Sequence, residues 1–598
     1  MHAIARQLVN SPSFFCGTLM SIVVATNGFA ACSLEKYAEL PVVMNGRRPV
    51  VEGSINGIPA TFIADSGAFY SMLWADLASR FQLRLEKPPG GMELQGIGGK
   101  EDPHVTIVND FALRGLGGGA FHKVHFLVAG QSTGPEDGII GQNILGRADT
   151  EYDLGNGAIR LFRSTGCENN SLAYWPGTAA VSEMTIKQTS DWEPHIVGSA
   201  KLNGLKISVL FDTGAPFSMV GLKAANRAGF NPTRATGNFS LHSPLGPKES
   251  EIWVTRFDDL DLGGEEIKNV QMQVSDSVIP GNFDLILGTD FFLSHRIYVA
   301  QNQHKIYFTY TGGRVFELPA ASSGAASVAA TTTPGNEAPG DSPQDAALYM
   351  RRGAASAARG DFPQAIANFD TAIRLNPDDA ESYHRRGMAK AKNHQFPEAL
   401  EDYDQALKLQ PHNALWLRTR GVLHLAMDDD KAAAEDFDAS VRLTPETENP
   451  DLDIADIYQA NGRYEAAISR TDRWIDAHPK DAELADALNS RCWFRAKWGK
   501  ELETALTDCD ESLKLKPNVP EVLDSRALVY LRLGNYDRSI ADYTAALGRR
   551  PRQAGSLYGL GLAQLHKGLQ AEAGKNMRDA LAIDSGTAER FRKIGLSP

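Results

Sequence analysis

Two stretches of the chain share one pattern: "FIADSGAFYSML" spans Phe62 to Leu73, and "VLFDTGAPFSMV" spans Val209 to Val220. Each contains one aspartate, Asp65 or Asp212, at the end of an apolar run and directly before a hydroxyl residue and a glycine. An isolated Asp-Ser-Gly or Asp-Thr-Gly commonly does no more than cap a turn. A carboxylate beside apolar strand residues is costly to ionise. An extended motif that occurs twice therefore indicates a function for both acids.

The residues around the two motifs are also repeated. An Asn-Gly pair, which is a hairpin signal, places a glycine eight residues before each aspartate. An apolar run that follows each aspartate ends in Gly141 or Gly288, and the differences 141 − 65 and 288 − 212 are both 76. The matched spacing predicts two copies of one β unit, at residues 42–165 and 190–312.

Two such units are expected to bring their aspartates together. If the units pack about a pseudo-two-fold axis, their equivalent loops meet at that axis. Asp65 and Asp212 would then face each other and share one proton, because two adjacent carboxylates do not both ionise easily. Such a pair is an acid and a base at once.

Both units resemble the lobe of retroviral-type (retropepsin-like) aspartic proteases. The resemblance rests on the Asp-Ser/Thr-Gly-Ala sequences at Asp65 and Asp212 and on the apolar segments that end at Gly141 and Gly288. It implies an all-β bilobal fold in which the two aspartates are catalytic and activate a water that hydrolyses a peptide bond. It implies no metal and no organic cofactor. The implied substrate is an extended peptide or protein.

The same resemblance implies roles for other residues of the loops. The hydroxyls of Ser66 and Thr213 would tie the two loops together, and Gly67 and Gly214 would permit the required backbone turn. The second unit has "LHSPLGPK" where the first has "LQGIGGK", and its two prolines predict an unequal second flap. The substrate-binding flap of the first unit would contain Gly96, Ile97, Gly98 and Gly99.

The C-terminal part of the chain is periodic. Prolines recur from Pro377 to Pro551 with steps of 34, 34, 34, 38 and 34 residues. The pattern resembles tetratricopeptide repeats and predicts an all-α solenoid of six to seven repeats over residues 346–591, with a protein partner. An Ala-, Ser- and Pro-rich segment at residues 318–345 predicts a flexible linker. The predicted fold class is multidomain: an all-β bilobal aspartic-protease fold followed by an all-α tetratricopeptide-repeat solenoid.

Length, charge and the N-terminus limit the remaining possibilities. The chain has 598 residues, too many for one core, and its net charge of −13 disfavours a nucleic-acid partner. Residues 1–30 contain a short apolar run followed by small residues, which predicts a signal peptide and export to the periplasm or secretion. An uncleaved anchor and a lipid-modified Cys32 are the alternatives. No integral membrane segment is expected after signal removal.

Four cysteines remain after the signal segment, without a CxxC pair or a metal-ligand spacing. Cys492 and Cys509 fall on facing helices of one predicted repeat, as either a disulfide or two small buried side chains. Cys32 and Cys167 flank the first β unit, and a disulfide between them would join its ends.

The sequence therefore predicts an exported aspartic endopeptidase whose repeats recruit a substrate or a partner. Unequal flaps favour pairing of the lobes within one chain, and pairing between chains is the variant. A non-catalytic peptide-binding scaffold is the alternative from another class, because a fold does not guarantee an activity. A further interpretation is an enzyme that cleaves itself in the linker.

Overall fold

A computed structural model describes most of the chain. The predicted signal peptide (1–30) and the predicted linker (318–345) lie outside the described residues. None of the helices within the described ranges is long and apolar enough to cross a membrane. The described ranges are 32–88, 94–96, 99–116, 121–132, 134–168, 170–175, 180–187, 195–231, 237–241, 250–276, 283–316, 346–445 and 450–598.

Among the described residues of the first β unit, lobe 1, the main sheet has seven strands. In sheet order these are β2 (Val43–Asn45), β3 (Arg48–Ile55), β4 (Ile58–Ala64), β10 (Gly138–Ile140), β5 (Met72–Trp74), β9 (Phe121–Ala129) and β8 (His104–Leu113). Because β3 also pairs with β8, six of the strands close into a barrel. Asn56 and Gly57 connect β3 to β4 with φ angles of 50° and 82°, and a type I′ turn requires such positive values. Buried rings of Phe62, Phe111 and Phe126 pack inside the barrel.

The second β unit, lobe 2, repeats this arrangement. In sheet order its strands are β14 (Val197–Leu202), β15 (Leu205–Phe211), β20 (Leu285–Leu287), β16 (Met219–Gly221), β19 (Glu265–Ser275), β18 (Ser250–Leu262) and β17 (Gly237–Leu241). Pairing of β14 with β18 closes six of them into a second barrel. The turn at Asn203 and Gly204 repeats the positive φ angles, 48° and 77°. The predicted duplicated all-β fold is confirmed.

A third sheet, the central sheet, contains strands of both lobes. In order these are β1 (Ser33–Pro41), β12 (Ala158–Thr165), β11 (Asp149–Asp153), β21 (His295–Ala300), β22 (Lys305–Tyr310) and β13 (Ser182–Thr185). The lobes meet where β11 pairs with β21, with Tyr152 opposite Ile297. β1 and β13 precede the predicted starts of the units at residues 42 and 190. Both are polar and pair with strands distant in sequence, so no hairpin turn marks them.

A buried ion-pair network lies on the central sheet. Arg160 donates to Asp153 at 2.8 Å and to Glu151 at 3.3 Å, and Arg296 of lobe 2 also donates to Glu151. All four side chains are buried. The network links the two lobes, because Arg296 of lobe 2 donates to Glu151 of lobe 1. Removal of one partner would leave a buried charge unpaired, which is destabilising.

In the described part of the two lobes, three short helices and two 3₁₀ helices accompany the strands. They are α1 (Gln142–Leu145), α2 (Leu222–Arg227), α3 (Thr289–Ser294), and the 3₁₀ helices Ala78–Phe81 and Leu154–Asn156. α1 and α3 occupy equivalent places, directly after Gly141 and Gly288.

The helical part has seven helix pairs and a final helix within residues 346–445 and 450–598. The chain divides into two compact units, Met1–Pro377 and Asp378–Pro598, so the first pair belongs to the β unit. This division differs from the predicted domain boundary at residue 346. The helices are α4 (Ala346–Ala358), α5 (Phe362–Leu375), α6 (Ala380–Lys392), α7 (Phe396–Leu409), α8 (Ala414–Ala426), α9 (Asp430–Leu443), α10 (Pro450–Ala460), α11 (Tyr464–Ala477), α12 (Leu484–Trp498), α13 (Leu502–Leu515), α14 (Pro520–Arg532), α15 (Tyr536–Arg549), α16 (Ala554–His566), α17 (Gln570–Ile583) and α18 (Thr587–Lys593).

The helices of several repeats meet where a glycine faces an aromatic ring. A Cβ on Gly387 would lie 2.7 Å from Tyr403, and a Cβ on Gly421 would lie 2.7 Å from Phe437. In the pair α12–α13 the corresponding residues are Cys492 and Cys509, which form a disulfide. α12 has 15 residues where α6 and α8 have 13, which accounts for half of the four-residue insertion in this repeat.

Candidate functional site

The aspartates of the repeated motif lie directly beyond the central strands of the two barrels. In lobe 1, β4 ends at Ala64, and the amide of Asp65 donates to the carbonyl of Ile140 in the parallel strand β10 at 2.9 Å. In lobe 2 the amide of Asp212 donates to the carbonyl of Leu287 in the parallel strand β20, also at 2.9 Å. The apolar segments predicted from the sequence thus lie beside the two loops.

Reciprocal hydrogen bonds hold the two loops together. Ser66 Oγ donates to the carbonyl of Phe211 and accepts from the amide of Thr213, both at 2.9 Å. Thr213 Oγ1 donates to the carbonyl of Ala64 at 2.6 Å and accepts from the amide of Ser66 at 2.9 Å. Both hydroxyl residues are fully buried. Each loop therefore satisfies polar groups of the other that would be costly to bury alone.

The carboxylates of Asp65 and Asp212 are brought into contact by this arrangement. In each loop Oδ1 accepts from the amides two and three residues further on, at 2.8 and 2.9 Å for Asp65 and at 2.9 and 3.2 Å for Asp212. A Cβ on Gly214 would lie 2.2 Å from Asp65 Oδ2, and a Cβ on Gly67 would lie 2.3 Å from Asp212 Cγ. Only glycine leaves space at these positions for the carboxylate of the other lobe.

Burial raises the pKa of both carboxyl groups. For Asp65 desolvation is the main cause, and hydrogen bonds from Asp212 and from loop amides oppose it. For Asp212 desolvation and the charge of Asp65 act together and raise the pKa well above its usual value. Both side chains keep a partly exposed surface. Both shifts favour the protonated form of a carboxyl group at this site.

A second pair of residues supports the loops and was not predicted. Ser71 donates from its amide and its hydroxyl to Asn143 Oδ1, both at 2.8 Å, and accepts from the amide of Gly141 at 3.0 Å. In lobe 2, Ser218 donates in the same way to Asp290 Oδ1 at 2.9 and 2.7 Å. The available signal was the spacing, because each serine follows its aspartate by six residues.

The flaps differ between the lobes. In lobe 1 the strands β6 (Leu94–Gly96) and β7 (Gly99–Glu101) form a separate hairpin with Gly96 opposite Gly99. Ile97 and Gly98, predicted at its tip, lie outside the described residues. In lobe 2 the five-residue strand β17 pairs with β18 and belongs to the main sheet. The segment with the two prolines lies between these strands and also outside the described residues.

The described residues contain two disulfides. Cys32 and Cys167 join the start of β1 to the residues after β12, with Cα atoms 4.5 Å apart. Cys492 and Cys509 cross-link one repeat of the solenoid, with Cα atoms 5.6 Å apart. Within the part of the chain that the structure describes, no group of His, Cys, Asp and Glu side chains is arranged to hold a metal ion.

Comparison with protein families agrees with this geometry. Residues 51–144 and 198–291 match a family model described as aspartyl protease, and these ranges contain both paired aspartates. Residues 353–394, 380–413 and 525–588 match models of the tetratricopeptide repeat. The chain joins two aspartyl protease repeats to tetratricopeptide repeats. The resemblance to both families is thereby confirmed.

Similar proteins cover parts of the chain. It is 24% identical to human tetratricopeptide repeat protein 13 over 187 residues, which are 25% of this chain and 21% of that protein. It is 36% identical to photosystem I assembly protein Ycf3 of Prochlorococcus marinus strain NATL2A over 105 residues, 17% of this chain and 58% of that protein. The chain spans between 20% and 58% of the length of the curated relatives it matches.

Similar solved structures include tetratricopeptide-repeat proteins. One from Parabacteroides merdae is 16% identical with a TM-score of 0.32, and the match covers 42% of this chain and 98% of that one. Yeast Tom70 is 18% identical with a TM-score of 0.31, covering 42% of this chain and 54% of that one.

Proposed function

We propose that the protein is an exported aspartic endopeptidase that hydrolyses peptide bonds with a water held between Asp65 and Asp212. The observation that carries this proposal is the contact of two partly exposed carboxylates in loops that hold each other by buried hydrogen bonds. Desolvation and mutual repulsion both oppose such a contact. Turn-capping aspartates gain nothing from it, whereas an acid–base pair requires it.

The two carboxyl groups would supply every proton transfer of the reaction. The ionised member accepts a proton from the water while the water oxygen bonds to the scissile carbonyl carbon, and the protonated member donates its proton to the carbonyl oxygen. The resulting tetrahedral adduct loses its carbon–nitrogen bond as the nitrogen takes a proton from one carboxyl group and a hydroxyl of the adduct returns a proton to the other. The products are a carboxylic acid and an amine, and the pair again holds one proton. No covalent enzyme intermediate is needed.

By the resemblance, the hairpin β6–β7 would be the flap of the site, and an extended peptide would bind beside it as an added strand. The repeats would recruit a protein substrate or another protein partner. Export is supported by the N-terminal segment and by the two disulfides, since disulfides persist in oxidising compartments.

The test is cleavage of a mixed peptide library by the purified chain from about pH 3 to about pH 8. Asp65→Asn and Asp212→Asn are compared with Asp258→Asn, which changes an exposed aspartate of lobe 2. We expect the wild type and Asp258→Asn to cleave, and each variant of the pair to lose at least about a thousandfold in rate. Retention of activity by either variant of the pair would show that the two acids do not form one site.

Two further observations separate the remaining interpretations. Mixing Asp65→Asn with Asp212→Asn restores part of the activity if the lobes pair between chains, and none if they pair within one chain. If no peptide is cleaved at any pH but the wild type binds peptides, the chain is a peptide-binding scaffold and the endopeptidase proposal fails.

A further inference from the structure

The first helix of the solenoid packs against the β unit to which it belongs. α4 contacts β2 and the 3₁₀ helix Leu154–Asn156. Arg352 Nε donates to Asn156 Oδ1 at 3.0 Å. Gly157 follows with φ at 70°, and a Cβ there would lie 2.4 Å from Cβ of Arg351. Glycine at residue 157 thus permits an approach of the helix that any side chain would prevent.

Later repeats show which contacts an arginine at the place of Arg352 makes elsewhere in the solenoid. Arg420 in α8 donates to Asp436 of its own repeat and to Asp404 of the preceding one. Arg526 in α14 does the same with Asp542 and Asp510.

Arg352 occupies the corresponding place in α4, 68 residues (two repeats) before Arg420. Among the described residues no repeat precedes that of Arg352, and Asn156 of the 3₁₀ helix accepts a hydrogen bond from Arg352. For α4, the β unit therefore supplies a contact of the kind that a preceding repeat supplies for Arg420 and Arg526.

Arg359 directly follows α4 and is connected to the loop of Asp212 through α3. Its Nη1 donates to the carbonyl of Leu293 at 3.0 Å. That carbonyl is in the last turn of α3, where carbonyl groups lack partners within the helix. At the other end of α3, the amide of Thr289 donates to the carbonyl of Ala215 and its hydroxyl donates to the carbonyl of Thr213, both at 2.8 Å.

We propose that the first helix pair is a structural part of the protease, and that Arg359 is a positioning residue that holds α3 and through it the loop of Asp212. The positioning role rests on the proposed function, whereas the mechanical coupling does not. The consequence is that the first helix pair can influence the loop of Asp212, because Arg359 contacts α3 and α3 contacts that loop.

The test uses the full chain and amide hydrogen exchange. Arg359→Ala should accelerate exchange of the Thr289 amide by roughly tenfold, the effect of losing a hydrogen bond from a charged donor. Lobe 1 supplies an internal control. In the equivalent place of that lobe, the amide of Gln142 donates to the carbonyl of Ala68 at 2.8 Å. Among the described contacts, no arginine of the helical part donates to α1. Arg374→Ala, at an exposed arginine of α5, is the matched control variant.

Three results decide the proposal. We expect faster exchange at Thr289 alone, partial rescue by Arg359→Lys, and a lower kcat with an unchanged KM if the wild type cleaves peptides. Unchanged exchange at Thr289, or equal acceleration at Gln142, would overturn the coupling. If the wild type cleaves nothing, the exchange result still decides the coupling, and the proposed function fails independently.

Discussion

Replacement of Thr213 by valine tests the mutual support of the loops. Valine keeps the volume of the side chain but removes the hydroxyl that donates to Ala64 and accepts from the amide of Ser66. Both lost bonds are buried, and each orphaned group costs about 1–3 kcal/mol. The Ser66 hydroxyl keeps its own two bonds, so half of the contact survives. We expect Thr213→Val to reduce the free energy of unfolding of the β unit by about 2–6 kcal/mol.

The assay must assign the loss to the β unit, because a chain of two compact units need not unfold in one step. Urea titration monitored by amide exchange does this, with the amides of Asp65 and Asp212 as reporters. Thr471→Val is the matched control: Thr471 is also fully buried, but its hydroxyl donates only within its own helix, to the carbonyl of Ala467. A loss below about 0.5 kcal/mol in Thr213→Val, or an equal loss in both variants, would refute the reasoning.

Three further predictions follow from the site and the solenoid. Asp212→Asn should stabilise the β unit at neutral pH. Because the pKa of Asp212 is raised in the native state, that state binds more protons than the unfolded one, and the free energy of unfolding of the wild type falls as the pH rises above about 4. Asparagine does not ionise and avoids this loss. Urea titrations at about pH 4 and about pH 7 measure this, and a difference between variants that does not grow with pH contradicts it. Gly214→Ala should abolish peptide cleavage while the circular dichroism of the fold is kept, because its Cβ would lie 2.2 Å from Asp65 Oδ2. Replacing both Cys492 and Cys509 by alanine should destabilise the solenoid by about 3 kcal/mol, since the disulfide closes a 17-residue separation, and calorimetry with and without reductant checks it.

Control experiments accompany the predictions on Gly214 and on the disulfide of the solenoid. Gly555→Ala adds a Cβ to open space in the solenoid and should leave peptide cleavage unchanged. Reductant should lower the stability of the wild-type solenoid but not that of the double alanine variant. Equal sensitivity of both to reductant would assign the effect to the other disulfide.

The duplicated fold and the paired aspartates could be predicted because the signals are local and occur twice. Asn-Gly turns require positive φ angles, and the loops of Asp65 and Asp212 require glycine at a fixed offset. The helical period was equally visible, because each repeat must place a small residue against a large one.

Features that depend on distant partners could not be predicted. Glu151 and Arg160 resemble surface residues in the sequence, and only their pairing with each other and with Arg296 explains their burial. The contact of α4 with the β unit depends on the missing side chain of Gly157, which has no local signature. The composition of the linker predicted a flexible connection between the β units and the solenoid. It contains no information about which residues the next helix contacts.

The central sheet has a consequence for the order of synthesis. β11 pairs with β21 through partners such as Thr150 and Val299, which are 149 residues apart. Before the chain reaches β21, β11 of lobe 1 has no partner from lobe 2 in the central sheet, and the barrel that carries Asp212 is complete only at β20. A nascent chain therefore contains no paired aspartates for most of its early life. If the proposed function holds, the growing chain carries no assembled site, because the two lobes join only when β21 has paired with β11.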